Sequence, residues 1–175
     1  MSPIPTPPAG WEAAAERALA RGRTLDRFIP SFLLDSSASR FGYLYGTAIG
    51  WAWGGVWSTG RVERHGDLWV FRGLPSWAFK RGGVCVGGCY LTGDAAVSER
   101  VLAHEAVHAR QWRRYGLLMP LLYLFAGQDP LRNRFEIEAG LEDGNYVPRS
   151  RPVRTVSGKS RSVSETSSAR SAREH

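Results

Sequence analysis

His104-Glu105-Ala106-Val107-His108 sets two imidazoles four residues apart with a carboxylate between them. On a helix these histidines leave the same face one turn apart, close enough to share one tetrahedral zinc. Glu105 points to the side, where its carboxylate can reach a metal-held water without ligating the metal. Zinc lowers the pKa of such a water to about 7, so a neighbouring carboxylate can take its proton at neutral pH. The chemistry that suits these residues is hydrolysis of a peptide or other amide bond.

A hydrolytic zinc needs three protein ligands and an open position, a structural zinc four protein ligands. The other histidines are His65, in a turn, and His175, at the chain end, and position 114 is arginine. No third histidine follows the motif at short spacing, so a carboxylate is expected. Asn133-Arg-Phe-Glu-Ile-Glu-Ala-Gly140 offers Glu136 and Glu138. They lie about 200° apart around a helix, so only one can face the metal. Spacing alone leaves both open.

A helix must carry the motif. Ser98 is the expected N-cap, Glu99 suits the first turn, and Gly116 follows Arg113 and Arg114 as a C-cap. His104, His108, Gln111 and Tyr115 fall on one stripe of this helix, while Leu102, Ala106 and Ala109 lie on another side for packing. Before it, Arg61 to Thr92 reads as strands, with Val84 to Leu91 a tight hairpin around Gly87-Gly88. Cys85 and Cys89 then occupy diagonal positions and are expected to be buried free thiols. Two cysteines cannot supply the four thiolates of a typical iron–sulfur cluster. After the motif, Leu117 to Ala126 predicts a buried apolar helix or helix pair, and Leu131 to about Asp143 a further helix.

The motif, followed 28 residues later by a glutamate on a separate helix, resembles the gluzincin branch of the zincin metallopeptidases. There the third ligand often sits in Glu-x-x-Ala-Asp after an aromatic residue. Phe135-Glu136-Ile137-Glu138-Ala139-Gly140 matches with Glu136 as ligand, ahead of Glu138, and with Gly140 where the aspartate would be. That aspartate usually orients a zinc-binding histidine, so the resemblance requires a substitute such as Asp143. It implies an α+β, zincin-like fold: N-terminal helices, a small antiparallel sheet, the motif helix and a glutamate helix. It further implies Zn2+ held by His104, His108 and Glu136, with Glu105 as general base and a peptide or protein as substrate. Gln111, Tyr115 and Tyr123 are candidates to support the ligands or an oxyanion. The segment from Leu102 to Tyr146 also resembles small bacterial proteins carrying His-Glu-Ala-x-His-x-x-Gln-Trp, some labelled iron–sulfur oxidoreductases.

The remaining sequence bounds the setting. The formal net charge is +7, but residues 148–175 alone hold seven of the basic residues against two glutamates. The body is nearly neutral, which argues against a nucleic-acid-binding fold. A disordered start over 1–10, one domain over 11–147 and a disordered basic tail over 148–175 are expected. The tail is a candidate for weak contact with nucleic acid or an acidic surface. Two cysteines and no signal-peptide pattern suggest the cytoplasm. Trp11 to about Arg23 predicts a helix, and Thr24 to Leu34 a short amphipathic piece interrupted by Pro30. Residues 41–60 carry no charge and place Gly42, Gly46, Gly50 and Gly54 on one stripe. A helix buried tightly against another element is the first expectation there; a membrane anchor and a glycine-rich strand pair are the alternatives. The competing functional class is a non-catalytic zinc protein, or a degenerate zincin, acting as a binding module.

Overall fold

The computed structural model describes residue 4 and residues 6–60, 62–77 and 82–149. The tail expected from 148 onward therefore lies almost wholly outside the described residues, as does most of the first five.

Helix α1 runs Trp11–Asp26, α2 Ser37–Trp57, α3 Glu99–Tyr115, α4 Leu118–Ala126 and α5 Arg134–Ala139. Strands β1 (Glu63–His65), β2 (Leu68–Phe71), β3 (Gly83–Val86) and β4 (Cys89–Thr92) form one sheet in the order β1-β2-β4-β3. The fold is α+β. The sheet is mixed and not antiparallel as expected: β2 and β4 run parallel, while β1–β2 and β3–β4 are antiparallel. The hairpin register sets Cys85 opposite Tyr90 and Val86 opposite Cys89. β4, buried at all four residues, slots between β2 and β3, leaving β3 with its exposed Val84 at the edge.

Alternation along the strands builds two layers. Leu68, Val70, Cys85 and Tyr90 face α3, where they meet Leu102, Ala109 and Trp112; Phe71, Cys89 and Leu91 join Leu74 in the second cluster, on the side of α2. Cys85 and Cys89 thus point to opposite faces, and both are free, buried thiols. Burial pushes the Cys89 thiol up to about 12 and raises that of Cys85 as well, so neither offers a thiolate.

α2 is a helix, as its glycine stripe suggests, and among the described residues no helix is long and apolar enough to cross a membrane. Ser36 and Ser39 cap it reciprocally. Each glycine seats a different neighbour: an added Cβ would lie 2.4 Å from the Leu117 nitrogen at Gly42, 2.9 Å from the Trp112 ring at Gly46, 2.7 Å from the Cys89 Cβ at Gly50, and against the Phe71 ring at Gly54. The helix therefore begins beside the end of α3 and crosses to the far face of the sheet. At the hairpin tip Gly87 holds φ +60 and presses on the backbone of Thr47, a closeness no side chain would permit.

Three helical expectations shift. α1 continues to Asp26, and the piece after it is a single 3-10 turn at Ser31–Leu33. α4 buries Met119 but exposes Leu121, Leu124 and Phe125, so it is a surface helix and not a buried one. α5 is only six residues long, because Asn133 caps its start and Gly140, at φ +96, ends it. Asp26 ties these parts together, accepting from Tyr115 at 2.7 Å and from Arg134 at 2.8 Å.

Candidate metal centre

α3 starts where expected, with the Ser98 side chain accepting from the Val101 backbone, and ends at Gly116. Its motif face turns toward α5, whose Phe135 is fully buried beneath it. Asn133 sets the start of α5 by donating its amide to the carbonyls of Tyr123 and Gly127 while its oxygen accepts from the Phe135 nitrogen. Glu136 in the first turn of α5 then meets the two motif histidines.

The three side chains converge on one point. His104 Nε2 and His108 Nε2 are 3.1 Å apart; Glu136 Oε2 lies 3.2 Å from the first and Glu136 Oε1 3.4 Å from the second. All three residues are buried, and among the described residues they form the group able to hold a metal ion. These separations match the roughly 3.3 Å edge of a tetrahedron with bonds of about 2.0–2.1 Å to zinc.

Hydrogen bonds behind the rings fix their protons. His104 Nδ1 donates to the Gly140 carbonyl at 3.0 Å, and His108 Nδ1 to Gln111 Oε1 at 2.8 Å. The Gln111 amide is oriented in turn, because its nitrogen donates to the Phe135 carbonyl and to Glu138, each at 3.1 Å. With both protons on Nδ1, two Nε2 lone pairs and a carboxylate face one another. Glu136 Oε2 is buried with no hydrogen-bond donor. Such a set of facing acceptors calls for a cation.

The carboxylates are driven apart. Burial raises Glu136, but the facing His104 and His108 rings and the Tyr123 hydroxyl outweigh it and hold the group well below the usual carboxylate range. Burial pushes Glu105 up to about 7, against the pull of both imidazoles. Burial opposes the charge on His108, yet Glu136 moves that ring above its ordinary value. Glu105 Oε2 is buried without a partner, at the floor of a mostly apolar cavity of about 440 Å3. Val84 and Val86 of the β3 edge, Trp112, Met119 and Leu124 wall that cavity.

Other expected site residues fall elsewhere. Tyr115 lies on the stripe but turns its hydroxyl to Asp26, away from the centre. Asp143 pairs with Arg100 at 3.2 Å and does not touch His104; the carbonyl of Gly140 takes the orienting role instead. Glu138 reaches the centre only through Gln111. Two features were missed by sequence reasoning. Tyr146 engages Glu136 and stacks at a tilt 6.0 Å from the His104 ring. Gly144 presses against His104, where a Cβ would sit 2.7 Å from the imidazole. The Gly144-Asn145 pair, with Asn145 at φ +61, marks the turn but not its target.

Comparisons with protein-family models, curated proteins and solved structures find no match to this chain. The centre is thus read from its own geometry.

Proposed function

We propose that the chain is a zinc-dependent hydrolase of peptide bonds, of the zincin type, in which His104, His108 and Glu136 hold the metal. The observation that carries this reading is the convergence of two fixed Nε2 lone pairs and a carboxylate within ligand distance, beside a second carboxylate whose buried Oε2 has no hydrogen-bond partner. The bound zinc supplies Lewis acidity for the amide carbonyl and for water. Glu105 is the proton carrier: near pH 7 it takes a proton from water and returns it to the leaving amine nitrogen. Tyr123 and Tyr146 bring phenols to the lining of the cavity, where a hydroxyl released from Glu136 would suit a developing oxyanion. The β3 edge offers main-chain groups to an extended substrate, and the apolar cavity suits a large apolar side chain.

The test is metal content and hydrolysis of a fluorogenic peptide library by the full chain and by Glu105→Gln, His108→Ala and Glu136→Ala. One zinc per chain, retained in Glu105→Gln and lost in the other two, with hydrolysis lost in all three, is expected. Hydrolysis that survives Glu105→Gln overturns the mechanism. A chain that holds zinc and cleaves nothing is a binding module built on the same centre.

A further inference from the structure

The uncharged helix α2 has four columns of residues spaced by four. The glycine column is buried, and Tyr43, Thr47 and Trp51 flank it toward the sheet; Thr47 donates its hydroxyl to the Tyr43 carbonyl, and Trp51 meets Trp69 and Phe71 edge-on. The other two columns, Phe41-Tyr45-Ile49-Trp53-Trp57 and Leu44-Ala48-Ala52-Val56, are exposed along the whole helix, their aromatic rings meeting one another and Trp77. Phe41 is 64% and Val56 70% exposed. Trp77, from the connection after β2, stacks perpendicular to Trp57 and extends this face. The outward side chains expose on the order of 800 Å2, above the roughly 300–600 Å2 of the largest apolar patch on an ordinary monomer. None of α2 lines the cavity of the metal centre.

We infer that this face lies in the plane of an anionic lipid bilayer, with α2 docked lengthwise at the headgroup boundary. A helix of this length presents about 30 Å of apolar surface, and its tryptophans and tyrosine are the side chains that partition to that depth. Charge selects the lipid over a second copy of the chain. No acidic residue occurs between Asp35 and Glu63, and the uncharged stretch is bounded in sequence by Arg40 and Arg61. A second copy's α2 offers the exposed Arg40 no acidic side chain to pair with, whether the helices run parallel or antiparallel. An anionic surface meets Arg40 favourably and finds no acidic side chain along α2 to repel it.

The test uses the full chain and an Ile49→Glu/Val56→Glu variant, both positions being exposed so that the fold is kept, as unchanged thermal melting will verify. Each is mixed with vesicles of phosphatidylcholine plus phosphatidylglycerol, with bromine-labelled acyl chains as tryptophan quenchers. The tail from 148 to 175 holds no tryptophan, so quenching reports the folded domain. Expected are quenching and co-sedimentation of the parental chain, a vesicle-bound fraction lower by about tenfold or more in the variant, and weaker binding to phosphatidylcholine alone. Co-sedimentation of the parental chain without quenching assigns binding to the tail and overturns the inference. Equal quenching in parent and variant overturns it too, as does a dimer by light scattering that the variant abolishes.

Discussion

Replacing Gln111 by leucine tests whether the His108 ring is held for a metal. The buried Gln111 amide makes three hydrogen bonds, accepting from His108 Nδ1 at 2.8 Å and donating to the Phe135 carbonyl and Glu138 at 3.1 Å. Leucine matches the bulk but makes none of them. His108 then loses the acceptor that keeps its proton on Nδ1, and its Nε2 lone pair no longer faces Glu136 by default. Loss of such a supporting bond costs about 10–100-fold in metal affinity, equivalent to about 1.4–2.7 kcal/mol. The metal-free fold also suffers, because the buried His108 Nδ1–H is left without its acceptor at about 1–3 kcal/mol. Competition with a chromophoric chelator at pH 7.4 gives the zinc Kd, and urea unfolding of the metal-free protein gives the second quantity. A Kd within twofold of the parent, whatever the stability change, would show that Gln111 only packs α3 on α5.

Three further outcomes are expected. Gly42→Ala and Gly55→Ala gain the same helix propensity of about 1 kcal/mol, yet a Cβ at 42 meets backbone at 2.4 Å while one at 55 meets nothing within 4 Å. Gly42→Ala should lose about 1–3 kcal/mol net and Gly55→Ala gain about 0.5–1 kcal/mol in chemical denaturation; the opposite signs would contradict the seating of α2. Tyr146→Phe removes a phenol that engages Glu136 but leaves the ring against His104. In steady-state kinetics it should lower kcat by about 10–1000-fold with KM little changed, and an unchanged kcat would leave Tyr146 a packing residue. Glu105 is raised from 4.5 to about 7, so the fold favours its protonated form. Its ionisation costs the metal-free fold nothing below the unfolded value, increasingly more as pH rises between the two values, and about 3 kcal/mol above them. Metal-free Glu105→Gln should therefore match the parent near pH 4.5 and exceed it by about that amount at pH 8. A stability difference that stays flat with pH would refute the burial of this carboxylate.

Much of the centre was legible because side-chain spacing and helix caps are local signals. The motif face and the Ser98 and Gly116 ends of α3 follow from positions on a helix, whereas spacing left Glu136 and Glu138 both open and only the resemblance put Glu136 first. The glycine stripe announced close packing but not its partners, since Leu117, Trp112, Cys89 and Phe71 come from four different segments. Strand order was illegible for a similar reason: alternation tells which face is buried, not which strand lies alongside. Gly140 was legible as a departure from the gluzincin pattern, and its consequence was not. A backbone carbonyl carries no side-chain signature, and only the positive φ of that glycine aims it at His104. Tyr146 arrives through a turn after the end of α5, with no periodicity to place it.

The Gly140 carbonyl also sets the electrical character of the centre. An aspartate behind His104 would bring a full negative charge into the shell around a divalent ion. The carbonyl brings only a dipole, so a loaded centre here stays one unit more positive. Such a centre would polarise a bound carbonyl more strongly and would draw less electron density through the imidazole. The orienting group also has no proton to gain in acid and cannot be deleted by truncating a side chain. Its direction depends on the backbone conformation of one residue, so replacing Gly140 by a residue unsuited to φ +96 would disturb His104 without touching a ligand.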